Sequence, residues 1–227
     1  MTTTLITGAT RGLGLETARQ LVAAGHTVWI GARDADRGRP AADGLGAKFV
    51  QLDVCDDASV AAAAQTVGQL DVLVNNAGIP GPRLAVGDVT AEAIRTPFDT
   101  NVFGLVRVTH AFLPLLTASA SPVVVNVSSG LGSITRALDP NAMEYAFPAL
   151  AYAASKAAVN MITVQYAKAY PAMRVNCVDP GYTATDFNGN TGTKTVAEGA
   201  EVIVRMARLG PDGPTGGYFD GAGLVAW

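Results

Sequence analysis

The feature that most limits the fold of this chain is a regular alternation of short apolar runs with Ala-rich stretches of helical period. The apolar runs predict strands at residues 3–7, 27–30, 48–52, 72–74, 122–127, 174–178 and 217–219. The Ala-rich stretches predict helices at residues 13–24, 58–69, 100–118, 151–170 and 196–208. Strands that alternate with helices form βαβ units with parallel strands. We therefore predict an α/β protein with a doubly wound parallel sheet in a three-layer α/β/α sandwich.

Composition narrows the class of protein. Of the 227 residues, 49% are hydrophobic and 15% are charged, which is too apolar for a disordered chain and sufficient for a large core. No low-complexity linker and no abrupt shift in composition divides the sequence, so we expect one domain over residues 1–227. No apolar run approaches the roughly 18–20 residues of a membrane span.

Charge, cysteines and histidines disfavour several functions. A net charge of −3 without a Lys/Arg run argues against a general nucleic-acid binder. Cys55 and Cys177 lie far apart, with no CxxC motif, and are expected to be reduced. His26 and His110 are isolated, so no metal site is expected. Because the first predicted strand begins at Thr3, we expect no signal or transit peptide and a cytoplasmic protein.

A glycine-rich segment joins the first predicted strand to the first helix. It reads Thr7-Gly8-Ala9-Thr10-Arg11-Gly12-Leu13-Gly14. Glycine lets the backbone turn sharply and approach a phosphate, and a helix N-terminus supplies free N–H groups. The spacing is GxxxGxG, not the GxGxxG of the standard dinucleotide fingerprint. In its strand–helix context, the segment favours a Rossmann-type dinucleotide site over a purely structural turn.

The end of the second predicted strand should lie beside the adenosine ribose of such a cofactor. Ala32 stands where an NAD enzyme places a carboxylate, and Arg33 and Arg37 follow it. Guanidinium groups suit a 2′-phosphate, which accepts charge-assisted hydrogen bonds. Asp34 and Asp36 would also fit a solvated loop of mixed charge. The pattern favours NADP(H) over NAD(H).

One YxxxK motif occurs in the chain, formed by Tyr152 and Lys156 in a predicted helix. Positions i and i+4 share a helix face, so both polar ends can reach one pocket. A phenol with a pKa near 10 is a poor acid–base catalyst at neutral pH, and a nearby ammonium lowers that pKa. Taken alone, the pair is more typical of an ordinary helix than of a catalytic site.

Two further polar elements favour catalysis. Ser128 and Ser129 follow a predicted parallel strand, whose carboxyl end borders the ligand crevice, and a hydroxyl there can stabilise charge on a carbonyl oxygen. Asn101 lies early in the predicted helix at residues 100–118, where an amide could equally be a helix cap. Together with the glycine-rich segment, the set favours an active site.

In this order along the chain, the motifs resemble those of the short-chain dehydrogenase/reductase family, and the resemblance covers essentially the whole sequence. The matching residues are Thr7-Gly8, Gly12-Leu13-Gly14, Asn75-Asn76-Ala77-Gly78, Asn101, Ser128-Ser129, Tyr152, Lys156 and Pro180-Gly181-Tyr182-Thr183-Ala184-Thr185. Within the family, the chain is most similar to NADPH-dependent carbonyl reductases, whose paired arginines match Arg33 and Arg37. The resemblance implies NADP(H) and reduction of a ketone, aldehyde or quinone-like carbonyl to an alcohol by hydride transfer.

The resemblance also implies a role for each catalytic residue. Tyr152 would protonate the carbonyl oxygen, and Lys156 would lower the pKa of Tyr152 and hold the nicotinamide ribose. Ser129, rather than Ser128, would polarise the carbonyl. Asn101 would anchor the long helix and a water that relays protons. The implied cofactor-binding residues are Gly8, Thr10, Arg11, Gly12, Leu13, Gly14, Arg33, Arg37, Asp53, Val54, Asn76, Ala77, Gly78, Tyr152, Lys156, Pro180, Gly181, Thr183 and Thr185.

The substrate is expected to be hydrophobic. The pocket should be closed by residues 131–149, by the loop after Gly78 and by a Gly/Asn-rich candidate lid at residues 187–193. The candidate substrate-binding residues are apolar or neutral: Leu131, Ile134, Phe147, Tyr182 and Phe187. Ser129 and Tyr152 are 23 positions apart, a longer spacing than in the commonest family members. The extra segment, residues 134–148, resembles a shorter form of the insertion in monomeric carbonyl reductases, which favours a monomer.

Two other functions stay open. A nucleotide-sugar epimerase or dehydratase shares the YxxxK motif, although the sequence after Thr185 is too short for a sizeable substrate domain. A non-catalytic NADPH-binding sensor is the second, although such proteins commonly lose the tyrosine or the lysine, and both are present here.

Overall fold

Seven parallel strands form a single sheet at the centre of the computed structural model, which describes all 227 residues. The strands are β1 (Thr3–Thr7), β2 (Thr27–Ala32), β3 (Lys48–Gln51), β4 (Val72–Asn75), β5 (Val123–Val127), β6 (Arg174–Val178) and β7 (Tyr218–Phe219). Their order across the sheet is β3-β2-β1-β4-β5-β6-β7, and every pairing is parallel. The predicted α/β fold with a doubly wound sheet is confirmed.

Eight α-helices connect these strands. They are α1 (Gly12–Ala23), α2 (Ala35–Asp43), α3 (Asp57–Val67), α4 (Ala91–Phe98), α5 (Gly104–Ala118), α6 (Ile134–Leu138), α7 (Leu150–Ala169) and α8 (Val196–Ala207). Neighbouring side chains of a strand point to opposite faces of the sheet, so Leu5 and Ile6 of β1 belong to different core clusters. One cluster packs against α1 and α8, and the other against α3 and α5. The sheet is thus covered on both faces, as its apolar strands require.

The strand order reverses at β1, which pairs with β2 on one side and β4 on the other. Ligands of doubly wound sheets bind beyond the carboxyl ends of the strands at such a reversal. The glycine-rich segment follows β1, and Asn76, Ala77 and Gly78 follow β4. The fold therefore brings these two segments to the same crevice.

Three of the helices were not predicted from the sequence. Helix α2 contains Arg37 in a stretch that was interpreted as loop, and it begins where the Asp34 carboxylate accepts hydrogen bonds from the backbone N–H groups of Asp36 and Arg37. The short helix α6 lies within the extra segment at residues 134–148. Neither helix has the length or the apolar stripe that makes a helix visible in a sequence.

Helix α4 changes the interpretation of Asn101. Helices α4 and α5 run on through a π-helical turn at Asp99–Phe103, so the predicted start at residue 100 is wrong. Asn101 therefore lies inside a continuous helix and caps no helix end. By length and composition the whole helix Ala91–Ala118 could cross a membrane, but 44% of its most apolar stretch is buried in the fold, as in a core helix. Val108, Phe112 and Leu116 provide much of that buried surface.

Candidate active site

The glycine-rich segment is braced against the end of β4. Gly8 and Gly12 have positive φ angles of 65° and 53°, which glycine adopts readily. At Gly14, a Cβ atom would lie 2.5 Å from Asn76 Nδ2 and 2.8 Å from the Gly8 carbonyl oxygen. Asn76 Nδ2 donates hydrogen bonds to the carbonyl oxygens of Thr7 and Gly8, at 2.8 and 3.2 Å. Asn76 therefore shapes the loop, in addition to any contact with a ligand.

The N-terminus of α1 has the properties of an anion site. Its N-cap residue, Arg11, makes no side-chain capping bond, and no acidic residue lies in the first turn, which includes Leu13. The first N–H groups of the helix and the positive end of its dipole are thus open to a phosphate. Thr10 lies in the glycine-rich segment itself. Ala77 packs against that segment, since a Cβ at Gly8 would lie 3.0 Å from Ala77 Cα. These residues fit the pyrophosphate of a dinucleotide.

Two arginines without ion-pair partners lie beside the end of β2. Arg33 and Arg37 are exposed, and neither forms a salt bridge. The carboxylate of Asp34, which could have neutralised them, is engaged in capping α2. Gln51 donates a hydrogen bond to the Arg33 carbonyl oxygen at 3.1 Å and holds this backbone in place. The arrangement leaves two guanidinium groups for an anionic ligand.

The predicted adenine-side residues follow β3. The carboxylate of Asp53 accepts a hydrogen bond from the Cys55 backbone N–H at 3.0 Å, which fixes its orientation. Val54 is buried against α5, where a Cβ at Gly104 would lie 2.9 Å from Val54 Cγ2. These contacts set the position of the β3 end at the edge of the crevice.

Asn101 connects the loop after β4 to helix α7. Its Oδ1 accepts a hydrogen bond from the Ile79 N–H at 2.8 Å, and its Nδ2 donates to the Ile79 carbonyl oxygen at 3.0 Å. The same Nδ2 donates to Ser155 Oγ at 3.0 Å. A Cβ at Gly78 would lie 3.2 Å from Asn101 Oδ1 and 3.7 Å from Lys156 Nζ. The cofactor-side loop and the YxxxK helix therefore meet at Asn101.

Lys156 is buried in the site, and Tyr152 beside it is half-buried. Lys156 is 5% exposed, its Nζ donates a hydrogen bond to the Val127 carbonyl oxygen at 2.7 Å, and Nζ lies 5.6 Å from the centroid of the Tyr152 ring. Burial lowers the pKa of Lys156 to about 8. Burial raises the pKa of Tyr152, and a hydrogen bond with Ser129 acts against this rise. In this structure, desolvation of the phenol thus outweighs the lowering of the Tyr152 pKa that is expected from Lys156.

The structure distinguishes the two neighbouring serines. Ser128 is buried, and its hydroxyl donates to Asn160 Oδ1 at 2.5 Å, away from Tyr152. Ser129 is partly exposed, and its hydroxyl is the one that acts on the pKa of the Tyr152 phenol. Ser129 is therefore the serine that can contact a substrate carbonyl beside the phenol.

The segment after β6 closes the crevice from the other side. Gly181 has a φ angle of 75°, and Thr183 is buried, with its hydroxyl donating to the Pro180 carbonyl oxygen at 3.3 Å. Thr185 reaches the glycine-rich segment, since a Cβ at Gly12 would lie 3.5 Å from Thr185 Cγ2. The glycine-rich segment near the start of the chain and the segment after β6 thus line the same crevice.

Aromatic pairs border the candidate substrate side. The Phe187 ring lies 5.5 Å from the Tyr152 ring, and Phe147 lies 6.3 Å from Tyr182, measured between centroids. Leu131 lies two residues beyond Ser129 in the 3₁₀ turn Gly130–Gly132. Ile134 is 67% exposed and is the predicted substrate residue that is most open to solvent.

The candidate lid is tied to the cofactor side. Its 3₁₀ turn spans Asp186–Asn188, and Asp186 forms a 3.0 Å ion pair with Arg11 of the glycine-rich segment. Both side chains are largely exposed, so the pair contributes little to stability, about 0–1 kcal/mol. The ion pair nevertheless joins the turn that carries Phe187, whose ring contacts Tyr152, to the glycine-rich segment.

Sequence reasoning missed several residues that support this site. Ser155 holds Asn101, and Asn160 holds Ser128. Both lie on α7 within one or two turns of Lys156, so helical periodicity could have identified them. Asp179, next to Pro180, is a further buried polar residue, and no motif points to it.

Comparison with known proteins agrees with the geometry. A family model described as short chain dehydrogenase matches residues 2–196. A (+)-neomenthol dehydrogenase of Capsicum annuum is 31% identical over 296 aligned positions, which cover 95% of this chain and 94% of that protein. A (−)-isopiperitenone reductase of Mentha piperita is 33% identical, with 95% of both chains covered. The crystal structure of an NADPH-bound carbonyl reductase from chicken fatty liver superposes with a TM-score of 0.87 at 29% identity, covering 99% of this chain and 98% of that one.

Proposed function

The chain belongs to the short-chain dehydrogenase/reductase family, and its relatives include a neomenthol dehydrogenase and an isopiperitenone reductase. We propose that it uses NADPH to reduce an apolar ketone, aldehyde or quinone-like carbonyl to an alcohol. The observation that carries the proposal is the convergence of Ser129, Tyr152, Lys156 and Asn101 beside the glycine-rich segment. The coarser assignment, an oxidoreductase of this family, follows from the family itself.

The residues present fit a nicotinamide dinucleotide phosphate. The cradle at Gly14 excludes even a Cβ atom, the N-terminus of α1 is free for the pyrophosphate, and Arg33 and Arg37 lack ion-pair partners. A 2′-phosphate is the anion that two guanidinium groups recognise well. The NADPH in the related chicken carbonyl reductase supports the same choice.

The proposed reaction divides between cofactor and protein. NADPH, when bound, supplies the hydride for the carbonyl carbon. The Tyr152 hydroxyl gives its proton to the carbonyl oxygen, which becomes the alcohol hydroxyl. The phenol is protonated at neutral pH, as a general acid must be before it gives up its proton. Ser129 Oγ–H donates a hydrogen bond to the same oxygen as negative charge develops on it.

Lys156 and Asn101 support Tyr152 in its role as general acid. The Lys156 ammonium lies near the Tyr152 ring, so it favours the phenolate that remains after proton transfer. Asn101 fixes α7 through Ser155 and thereby fixes the helix that carries both residues. Apolar side chains such as Phe147 and Phe187 favour a hydrophobic substrate, and the relatives' names, neomenthol dehydrogenase and isopiperitenone reductase, support a small molecule.

The test is NADPH oxidation, followed by absorbance, with a panel of aromatic ketones, aldehydes and quinones. We expect oxidation with at least one of them and a loss of kcat of about 10²–10⁴-fold in Tyr152→Phe, because the general acid is removed. The matched control is Tyr170→Phe, the same change at the C-terminal end of α7, with kcat within about twofold of wild type. A wild type inactive on the whole panel, or a fully active Tyr152→Phe, would contradict the proposal.

Oligomeric state and location remain predictions. We propose a cytoplasmic monomer, although Phe103 on the π turn before α5 and Met161 on α7 are both exposed. Light scattering after size-exclusion chromatography tests the monomer, and a dimer or tetramer would contradict it.

A further inference from the structure

A single buried carboxylate connects the turn that carries Ser129 to the loop that begins at Pro180. Asp179 follows β6 and is 5% exposed. Its Oδ1 accepts a hydrogen bond from the Gly181 N–H at 2.9 Å. Its Oδ2 lies close to Gly130, where a Cβ would stand 3.0 Å away, so the Gly130 N–H is near enough to act on the carboxylate. Asp179 therefore contacts the backbone on both sides of the candidate active site.

The counter-charge for Asp179 comes from the extra segment at residues 134–148. Arg136 Nη1 lies 2.9 Å from Asp179 Oδ2 and 3.5 Å from Glu144 Oε1, and Arg136 Nη2 lies 2.6 Å from Asp220 Oδ2. Burial raises the pKa of Asp179, while the two backbone N–H groups and Arg136 act in the opposite direction. A buried carboxylate without a partner takes up a proton instead of remaining charged. Arg136 is thus what allows Asp179 to stay a double acceptor.

The same turn is held at two further points. The Tyr218 hydroxyl donates a 2.6 Å hydrogen bond to the Ser129 carbonyl oxygen, and Ser129 Oγ accepts from the Leu131 N–H at 3.3 Å. The hydroxyl of Ser129 is therefore placed by its backbone and not by packing of its own short side chain. A shift of about 1 Å in such a group can cost roughly 10²-fold in rate.

We propose that Asp179 is a positioning residue that sets Ser129 relative to the Pro180–Gly181 loop, and that Arg136 is its required counter-ion. The inference rests on the proposed function, in which Ser129 binds the carbonyl oxygen and the loop at Pro180 borders the nicotinamide. Asp179 contacts neither group itself and acts through its hydrogen bond from the Gly181 N–H and its close approach to Gly130.

The first test compares Asp179→Asn with Asp220→Asn. Both variants remove one carboxylate from Arg136, but Asp220 accepts its backbone bonds from Ala222 and Gly223 and not from the Ser129 turn. In Asp179→Asn the amide NH₂ faces N–H donors, so we expect kcat to fall about ten- to hundredfold. The dissociation constant of NADPH should change less than about threefold, and Asp220→Asn should stay within about twofold of wild type in kcat.

Amide hydrogen exchange provides a readout that does not depend on turnover. Peptides covering residues 128–132 and 179–183 should both exchange faster in Asp179→Asn, and neither should change in Asp220→Asn. A kcat of Asp179→Asn within twofold of wild type, or faster exchange in only one peptide, overturns the inference. A wild type that reduces no carbonyl would instead overturn the proposed function, so the two failures can be told apart.

The second test uses the pH profile of Arg136→Gln and Arg136→Lys. The groups that face Asp179 are Arg136 and Glu144 of the extra segment, Tyr152 of α7, Cys177 of β6, Tyr218 of β7 and Asp220 beyond β7. Loss of the guanidinium raises the pKa of Asp179 further, so the acid limb of kcat should move to higher pH in Arg136→Gln. Arg136→Lys keeps the charge and should restore the wild-type limb. An unmoved acid limb in Arg136→Gln, or an equal pH-independent loss in both variants, overturns the role of Arg136.

Discussion

The cofactor side and the substrate side of this site are built from different materials. On the cofactor side, backbone approaches backbone, and at Gly14 a single added carbon would lie 2.8 Å from the Gly8 carbonyl oxygen. On the substrate side, the walls are side chains carried by loops, with Phe187 against Tyr152 and Phe147 near Tyr182. A site formed by backbone requires glycine at fixed spacing, whereas a wall of loop side chains tolerates many sequences. The cofactor side is therefore recognisable in the sequence as a motif, whereas the substrate side is recognisable only as an apolar composition.

This contrast predicts separable effects. Substitutions on the cofactor side should change the choice of dinucleotide, and substitutions on the substrate side should change the choice of carbonyl. Lys156 lies between the two sides, near Gly78 as well as Tyr152. Its substitution should therefore have a larger effect than a substitution on either side alone.

Lys156→Met should have the largest effect and should separate activity from stability. We expect kcat to fall by about 10²–10⁴-fold because the phenolate loses its ammonium. The buried lysine has its pKa lowered from 10.5 to about 8, so at neutral pH its charge disfavours the folded state by up to about 3 kcal/mol. The cofactor-free variant should therefore be more stable at pH 7, by about 1–3 kcal/mol in denaturant unfolding.

The pH dependence of stability tests whether the Lys156 charge disfavours the folded state. Between about pH 8 and 10.5 the unfolded chain binds more protons at Lys156 than the folded one, so wild-type stability should rise with pH in this window. Lys156→Met should lack that rise. Lys168→Met, on the exposed face of the same helix, should change neither kcat nor the slope. A Lys156→Met protein that is less stable than wild type at pH 7 would contradict the expectation.

Substitution of Arg33 and Arg37 by Ala should have the second largest effect and should change dinucleotide binding alone. A hydrogen bond to a charged group contributes roughly 1.5–3 kcal/mol, so loss of both arginines should weaken NADPH binding by about 100-fold or more, with NADH changed less than about threefold. Binding titrations with both dinucleotides measure the ratio. Arg39→Ala is the matched control, because Arg39 lies over the Phe49 ring at 5.2 Å instead of facing the crevice. Equal losses for both dinucleotides would refute the 2′-phosphate assignment.

The same contrast explains which parts of the molecule the sequence could predict. Strands such as β5, with five buried residues in sequence, are visible as continuous apolar runs, and the glycine-rich segment is visible as a local pattern. Helix α2 was missed because only Gly38 and Ala42 are buried and Pro40 interrupts its pattern, although Asp34 was a readable cap. Local sequence patterns thus predicted the strands and helices that bury a continuous apolar face.

Features that join distant parts of the chain were not predictable in this way. Arg136 and Asp179 are 43 residues apart, and nothing in either neighbourhood marks them as partners. The direction of the Tyr152 pKa shift depends on how deeply the folded chain buries the phenol, which the YxxxK spacing does not encode. The π-helical turn at Asn101 likewise depends on the contacts of Asn101 with Ile79 and Ser155.

Phe187→Ala should have the smallest effect and should affect the substrate side alone. The two ring centroids of Phe187 and Tyr152 are 5.5 Å apart, which leaves no room for a third ring between them, since stacked rings need about 7 Å across two contacts of about 3.5 Å. Removal of the ring should raise kcat/KM for bulky cyclic ketones and lower it for small aldehydes, each by about two- to tenfold. NADPH affinity should stay within about twofold, and Phe103→Ala, at an exposed ring on the π turn before α5, should leave both quantities unchanged. If Phe187→Ala instead weakened NADPH binding and left the ranking of carbonyls intact, the lid would belong to the cofactor side, to which the Arg11–Asp186 ion pair already ties it.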